Sequence, residues 1–316
     1  MTRWETVKSF LLALISTLAL FLSGVAIPLV GVLLIPFVPQ PALGLGLKYG
    51  KGRAAGLALL AAVLLFLVGG RVLALGYAVF ALMAILLLLS FGRGWSVERL
   101  VATTAGGALA VTATVLLFLF GSPIHLAQAL RGALRQNLAL SLKVYEKIGP
   151  AREVTELLRE RVPQAVEILL QILPALTFAA FAAVILINLF FLYRRFPHDR
   201  SLFLSIADAR EWRCPEPFVW FLILSGFSLF LPVSGFRIVA LNLFLVSLVF
   251  YFFQGLAIVA YYLNHKQVPL VWRGLAYALI AFEQIFTLLV VGLGLFDLWG
   301  DFRRLKNKDL NPTQVS

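Results

Sequence analysis

Glu283 stands near the middle of an apolar run, residues 270–298, where an acidic side chain costs roughly 2.5 to 3.5 kcal/mol at the centre of a membrane helix. Such a residue has to face protein or water. If that run folds back on the one before it, with the turn at Asn264 to Pro269, Glu283 comes level with Tyr251. Gln254 then lies one helical turn away. A substrate-binding carboxyl and a plain interhelical hydrogen bond both satisfy this placement. Asn188 and Asn242 are further amides inside apolar runs, a residue type that holds membrane helices together by about 0.6 to 2 kcal/mol. Glu283, Gln254, Tyr251 and Asn188 therefore form the candidate substrate-binding set.

Other reactive residues fall away on spacing. Cys214 is the single cysteine, so it makes no internal disulfide. His125, His198 and His265 lie between apolar runs without ligand partners at metal spacing. Gly44, Gly46, Gly50 and Gly52, interleaved with Lys48, Lys51 and Arg53, resemble a phosphate cradle. The match fails where Leu45 replaces a glycine and Gly52 replaces a hydroxyl residue. Asp297 and Asp301, one turn apart, read as membrane-edge residues, with Arg304 placed to pair with Asp301 at i+3. No nucleophile motif or acidic cluster sits within a run. The expectation is a protein that is not an enzyme and carries no catalytic residue, metal or cofactor.

What must position the candidate residues is membrane-embedded helix. Of 316 residues, 61% are hydrophobic and only 13% charged, against about 25% charged in a soluble domain. The net charge of +12 sits mostly between apolar runs, where positive-inside bias and anionic headgroups favour it, and nucleic acid is not needed to explain it. Nine runs approach the roughly 20 residues of a span. They cover residues 10–27, 29–47, 54–69, 72–90, 100–121, 165–193, 218–231, 236–263 and 270–298. Unalternating stretches such as Ile85 to Leu89 exclude a barrel, so the fold class is all-α, a polytopic transmembrane helix bundle. The run at 218–231 is short and bounded by Pro217 and Pro232. Read as re-entrant, it leaves eight spans and puts most basic residues on the cytoplasmic side with both termini. The alternative is nine full spans.

Two stretches break the pattern. Pro28, Pro36, Pro39 and Pro41 fall in the second run and predict a broken or kinked helix, the kind of segment that borders transport sites or merely bends. Residues 122–164 are charged and amphipathic, with Leu126, Leu130, Leu134, Leu138 and Leu142 at four-residue spacing. They predict an extramembrane helical hairpin or a surface-lying helix with a return, serving lipid anchoring or protein docking. The chain thus divides into a five-span bundle (1–121), this insertion (122–164) and a C-terminal bundle with a basic tail (165–316).

Gln254-Gly255-Leu256-Ala257, then Pro269, then Gly294-Leu295-Phe296-Asp297 with Asp301-Phe302-Arg303 resemble the YybS-like family of uncharacterised bacterial integral membrane proteins. Pro174 and Asn188 also fall where that resemblance places them. It implies a bacterial inner-membrane location and no settled activity. The first six runs, with the proline-rich second returning to Gly50-Lys51-Gly52-Arg53, are more distantly similar to the S subunits of energy-coupling-factor transporters. That similarity implies a small-molecule ligand inside the bundle, a coupling subunit against Ser16, Ala19 and Ser23, and partner ATPases. The amphipathic insertion and the extra C-terminal helices depart from it. Two functions follow as expectations: a small-solute-binding transport subunit, or a non-transporting membrane scaffold that recruits proteins.

Overall fold

The computed structural model describes residues 3–147, 149, 152–196 and 212–303, and among them every regular element is helical. The order is α1 (Arg3–Ala26), α2 (Pro28–Leu34), a 3₁₀ turn (Ile35–Phe37), α3 (Gln40–Tyr49), α4 (Lys51–Ser90), α5 (Val97–Phe120), α6 (Pro123–Lys147), α7 (Arg152–Arg195), α8 (Phe218–Ser228), α9 (Ser234–His265), α10 (Leu270–Phe282) and α11 (Gln284–Gly300). Among the described residues, six helical segments are long and apolar enough to cross a membrane, or seven when α10 and α11 count as one bent span. Phe118 is 87% exposed and Phe282 88%, surfaces that suit hydrocarbon and not water. The residues form two compact units, one of 1–93 with 100–195 and one of 94–99 with 196–316.

In the first unit the expected break in the second run is present. Prolines at 36, 39 and 41 remove successive backbone donors, and α2 gives way to a 3₁₀ turn before α3 begins. Gly24 and Gly31 let α2 fold closely on α1, since a Cβ on Gly31 would overlap the carbonyl oxygen of Gly24. The 40 residues of α4 would measure about 60 Å if straight, yet Ala54 and Leu88 both touch Gly46. The segment is therefore a hairpin. It turns at Gly69 and Gly70, and Gly70 adopts φ 67°, ψ −162°, a region open essentially to glycine alone. The two runs read from the sequence at 54–69 and 72–90 are its two arms.

Among the described residues of 122–164, α6 packs against the first part of α7 as a helical hairpin. Arg131 grips Glu167 with two bonds, Nε to Oε1 at 2.6 Å and Nη2 to Oε2 at 3.0 Å, and Arg159 Nη2 meets Glu146 Oε1 at 2.7 Å. These pairs run antiparallel. Leu126, Leu130, Leu134, Leu138 and Leu142 are all half-buried, and the residues flanking Leu134, Leu138 and Leu142 are exposed, so the leucine stripe lines the seam. Solvated ion pairs add little stability; here they fix the pairing register. The second arm is not a separate helix, because α7 continues without interruption into the sixth apolar run.

In the second unit α8 is about 16 Å long, too short to span. It runs antiparallel to α9, with the Phe218 ring 4.9 Å from that of Phe250 and Gly226 against Phe244. The last run bends by 99° between α10 and α11, at Glu283 (φ −105°, ψ 114°). The hydroxyl of Thr287 donates to the carbonyl of Ile280 at 2.6 Å, satisfying one of the acceptors that a helix end leaves open.

Candidate functional site

Helices α9 and α11 cross at backbone contact because each carries a glycine at the crossing. A Cβ on Gly255 would overlap the carbonyl oxygen of Val290, and one on Gly294 would overlap that of Tyr251. Positions 251 and 255 are one turn apart, as are 290 and 294, so the two contacts are reciprocal. Close approach of this kind is what small residues provide in membrane helices. It also brings the polar residues just beyond the glycines within reach. Gln254 Nε2 donates to Asp297 Oδ2 at 3.1 Å, and Gln254 Oε1 accepts from the backbone N–H of Cys214 at 3.1 Å.

Asp297 is 0% exposed and Arg303 3%. A carboxylate in the last turn of α11 opposes the helix dipole, and it is held by donors from three directions. Arg303 Nη2 donates to Oδ2 at 2.8 Å, and the backbone N–H of Phe302 donates to Oδ1 at 2.9 Å. Arg213 Nε stands 3.9 Å from Oδ2, and the same guanidinium pairs with Asp301. Arg303 Nη1 donates on to the carbonyl of Trp212 at 3.0 Å, and Trp212 Nε1 donates to Glu98 at 2.8 Å. Tyr262 closes the turn by donating to the carbonyl of Phe302 at 2.6 Å. Asp301 supplies the left-handed corner, φ 38°, that turns Arg303 back under Asp297; Asp tolerates this conformation better than most residues. The network clamps the segment before α8 onto α9 and α11.

Cys214 lies inside this clamp, outside the helices. Burial pushes its thiol up to about 12, with the Glu98 carboxylate adding to the effect. At pH 8 roughly one thiol in ten thousand is then thiolate, the form that reacts. Maleimide labelling of the folded protein in detergent should be at least about 100-fold slower than after denaturation. Comparable rates in the two states would show that the clamp is open in solution.

The second polar centre is in the first unit. Asn188 is 1% exposed, and its Nδ2 donates at 2.7 Å both to the carbonyl of Pro36 in the broken run and to that of Val184. Gln40 Nε2, from the first turn of α3, donates to the Asn188 carbonyl at 2.8 Å. The Asn188 side-chain oxygen has no hydrogen-bond partner among the described residues. A buried acceptor left open costs about 1 to 3 kcal/mol.

Within the second unit, Glu283 does not join Tyr251 and Gln254. Tyr251 and Gln254 share the α9–α11 crossing, and Asn188 belongs to the broken second run. Glu283 is exposed at the α10–α11 break. The straight hairpin that would set it level with Tyr251 does not exist: Gly294 occupies that level, about 16 Å further along α11 by helical rise. Asp297 and Asp301, read from the sequence as membrane-edge residues, are the centre and corner of the buried network. Arg304, the partner expected for Asp301, lies outside the described residues; among the described residues Asp301 pairs with Arg213. Ser16, Ala19 and Ser23 lie on the exposed face of α1, opposite buried Leu14, Thr17, Phe21 and Gly24.

Several apolar helices, a proline-broken segment and buried polar contacts at helix crossings define a multi-pass, all-helical membrane protein. Within that class, the chain belongs to the family described as "Predicted membrane protein (DUF2232)", which matches residues 15–298. No curated protein and no solved structure matches it.

Proposed function

We propose that the protein is a small-solute-binding transport subunit of the bacterial inner membrane, with its solute contact at the broken second run. The observation that carries this reading is the buried side-chain oxygen of Asn188, open beside the α2–α3 break. Broken helices at membrane depth are tolerated where they line a cavity, and in transporters such half-helix ends face the cargo. The outward face of Ser16, Ala19 and Ser23 is available to a coupling subunit, as the similarity to energy-coupling-factor S subunits implies, with ATPases supplying the energy. With the arms of α4 counted separately and α8 re-entrant, the reading has eight spans and both termini in the cytoplasm.

Native mass spectrometry of the detergent-purified chain tests this reading. Wild type should retain a small molecule, and Asn188→Leu should lose at least about tenfold of it, the cost of one buried hydrogen bond to the ligand. Finding neither a retained solute nor a co-purifying ATPase would replace the transporter with the second reading, a scaffold. The scaffold reading rests on the α6–α7 hairpin, whose Leu140, Val144, Leu157 and Leu158 are exposed.

A further inference from the structure

We propose that the α3–α4 turn of the first unit binds the phosphate of an anionic phospholipid, whose acyl chain lies along the outward face of the first arm of α4. Lys48, Lys51 and Arg53 fall within six residues of one another, and Tyr49 organises the first and last of them. Lys48 Nζ stands 5.2 Å and Arg53 Cζ 5.9 Å from the centre of its ring, within the range of cation–π attraction. Arg53 Nη1 also donates to the Tyr49 carbonyl at 2.6 Å. The Tyr49 hydroxyl is 2.8 Å from that of Ser9, which brings the exposed Lys8 of α1 to the same end. The guanidinium of Arg195, at the end of α7, approaches Gly44. Among the described residues of these chain ends, Glu5 is the one acid.

A second feature selects a lipid over a free phosphate or an acidic protein. Arg53, Gly56, Leu60, Val63 and Leu67 repeat at three and four residues, so they share one helical face, and all are exposed. A Cβ on Gly52 or Gly56 would meet nothing within 4 Å, which leaves bare helix backbone between the cations and the apolar row. A phosphate with hydrocarbon attached fills both parts, whereas a soluble anion would leave the row unused. Basic pockets at helix ends attract anionic headgroups by about 1 kcal/mol per cation, about fivefold in affinity.

The test uses the full chain in detergent, titrated with dioleoylphosphatidylglycerol, dioleoylphosphatidylcholine or inorganic phosphate, with bound lipid read by native mass spectrometry. Phosphatidylglycerol should bind at least about tenfold tighter than phosphatidylcholine. The triple variant Lys48→Gln, Lys51→Gln, Arg53→Gln should erase that preference, and Gly56→Trp, which covers the bare backbone, should weaken binding with all cations kept. Lys143→Gln with Lys147→Gln in α6 should change nothing. Equal binding of the two lipids, an equal loss in the α6 variant, or full competition by inorganic phosphate would each overturn the proposal. All three cations lie at the surface, so the lipid-free melting temperature should stay at the wild-type value. If it falls, Lys51→Gln alone carries the test, with about a fivefold loss expected and an unchanged affinity counting against the site.

Discussion

Gly294→Ala should cost at least about 3 kcal/mol, although it adds only a single methyl group. The added Cβ would overlap the carbonyl oxygen of Tyr251 and crowd the backbone nitrogen of Gly255. Neither is the end of a flexible side chain that could swing aside. Relief requires α9 and α11 to separate, and separation lengthens the 3.1 Å bond from Gln254 to Asp297, so a steric penalty becomes an electrostatic one. Gly255→Ala meets the carbonyl of Val290 in the same way. Gly292→Ala is the control, because it sits on the same helix with nothing within 4 Å; it should be neutral or stabilise by up to about 1 kcal/mol. Thermal unfolding in detergent reads all three. Equal behaviour of Gly292 and Gly294 variants would mean the two helices do not touch as described.

Asp297→Asn should destabilise by about 3 to 5 kcal/mol although it changes almost no volume. The substitution leaves the Arg303 guanidinium buried with no carboxylate at 2.8 Å, and desolvated charge without a counter-charge is expensive. Arg303→Met removes the other partner and should cost a similar amount. The double variant, Asp297→Asn with Arg303→Met, should lose less than the sum of the two, by about 1 to 3 kcal/mol, since the second change removes the charge that the first stranded. Arg213 and Asp301 keep their own pair in every case. Strict additivity would mean that Asp297 and Arg303 do not interact in the folded protein.

Most of the helical plan could be read from residue order because its causes are local. Gly69-Gly70 marks the α4 turn, clustered prolines mark the second run, Pro217 and Pro232 bound α8, and the leucine spacing marks the seam of the hairpin. The sixth run and the hairpin arm read as separate pieces divided at residue 164, with Pro163 beside the join, yet α7 carries that proline inside one helix. The bend at Glu283 had no glycine or proline to announce it, in the order Phe282-Glu283-Gln284. A straight run would set Glu283 at the depth of Tyr251, whereas with the bend Gly294 lies there. The network around Asp297 was hidden for a different reason. Arg213 lies 84 positions away in sequence (297 − 213), and Arg303 returns only through the left-handed corner at Asp301. The available signal was an acid in an apolar helix followed by Gly-Asp and then Arg, opposite Gln254-Gly255.

The uninterrupted course of α7 couples two places that would otherwise be independent. At 1.5 Å per residue its 44 residues reach about 66 Å, with Glu167 held by Arg131 toward one end and Asn188 lodged against Pro36 toward the other. Pro163 and Pro174, where the ladder of hydrogen bonds is thinned, are the two places along this rod where bending costs least.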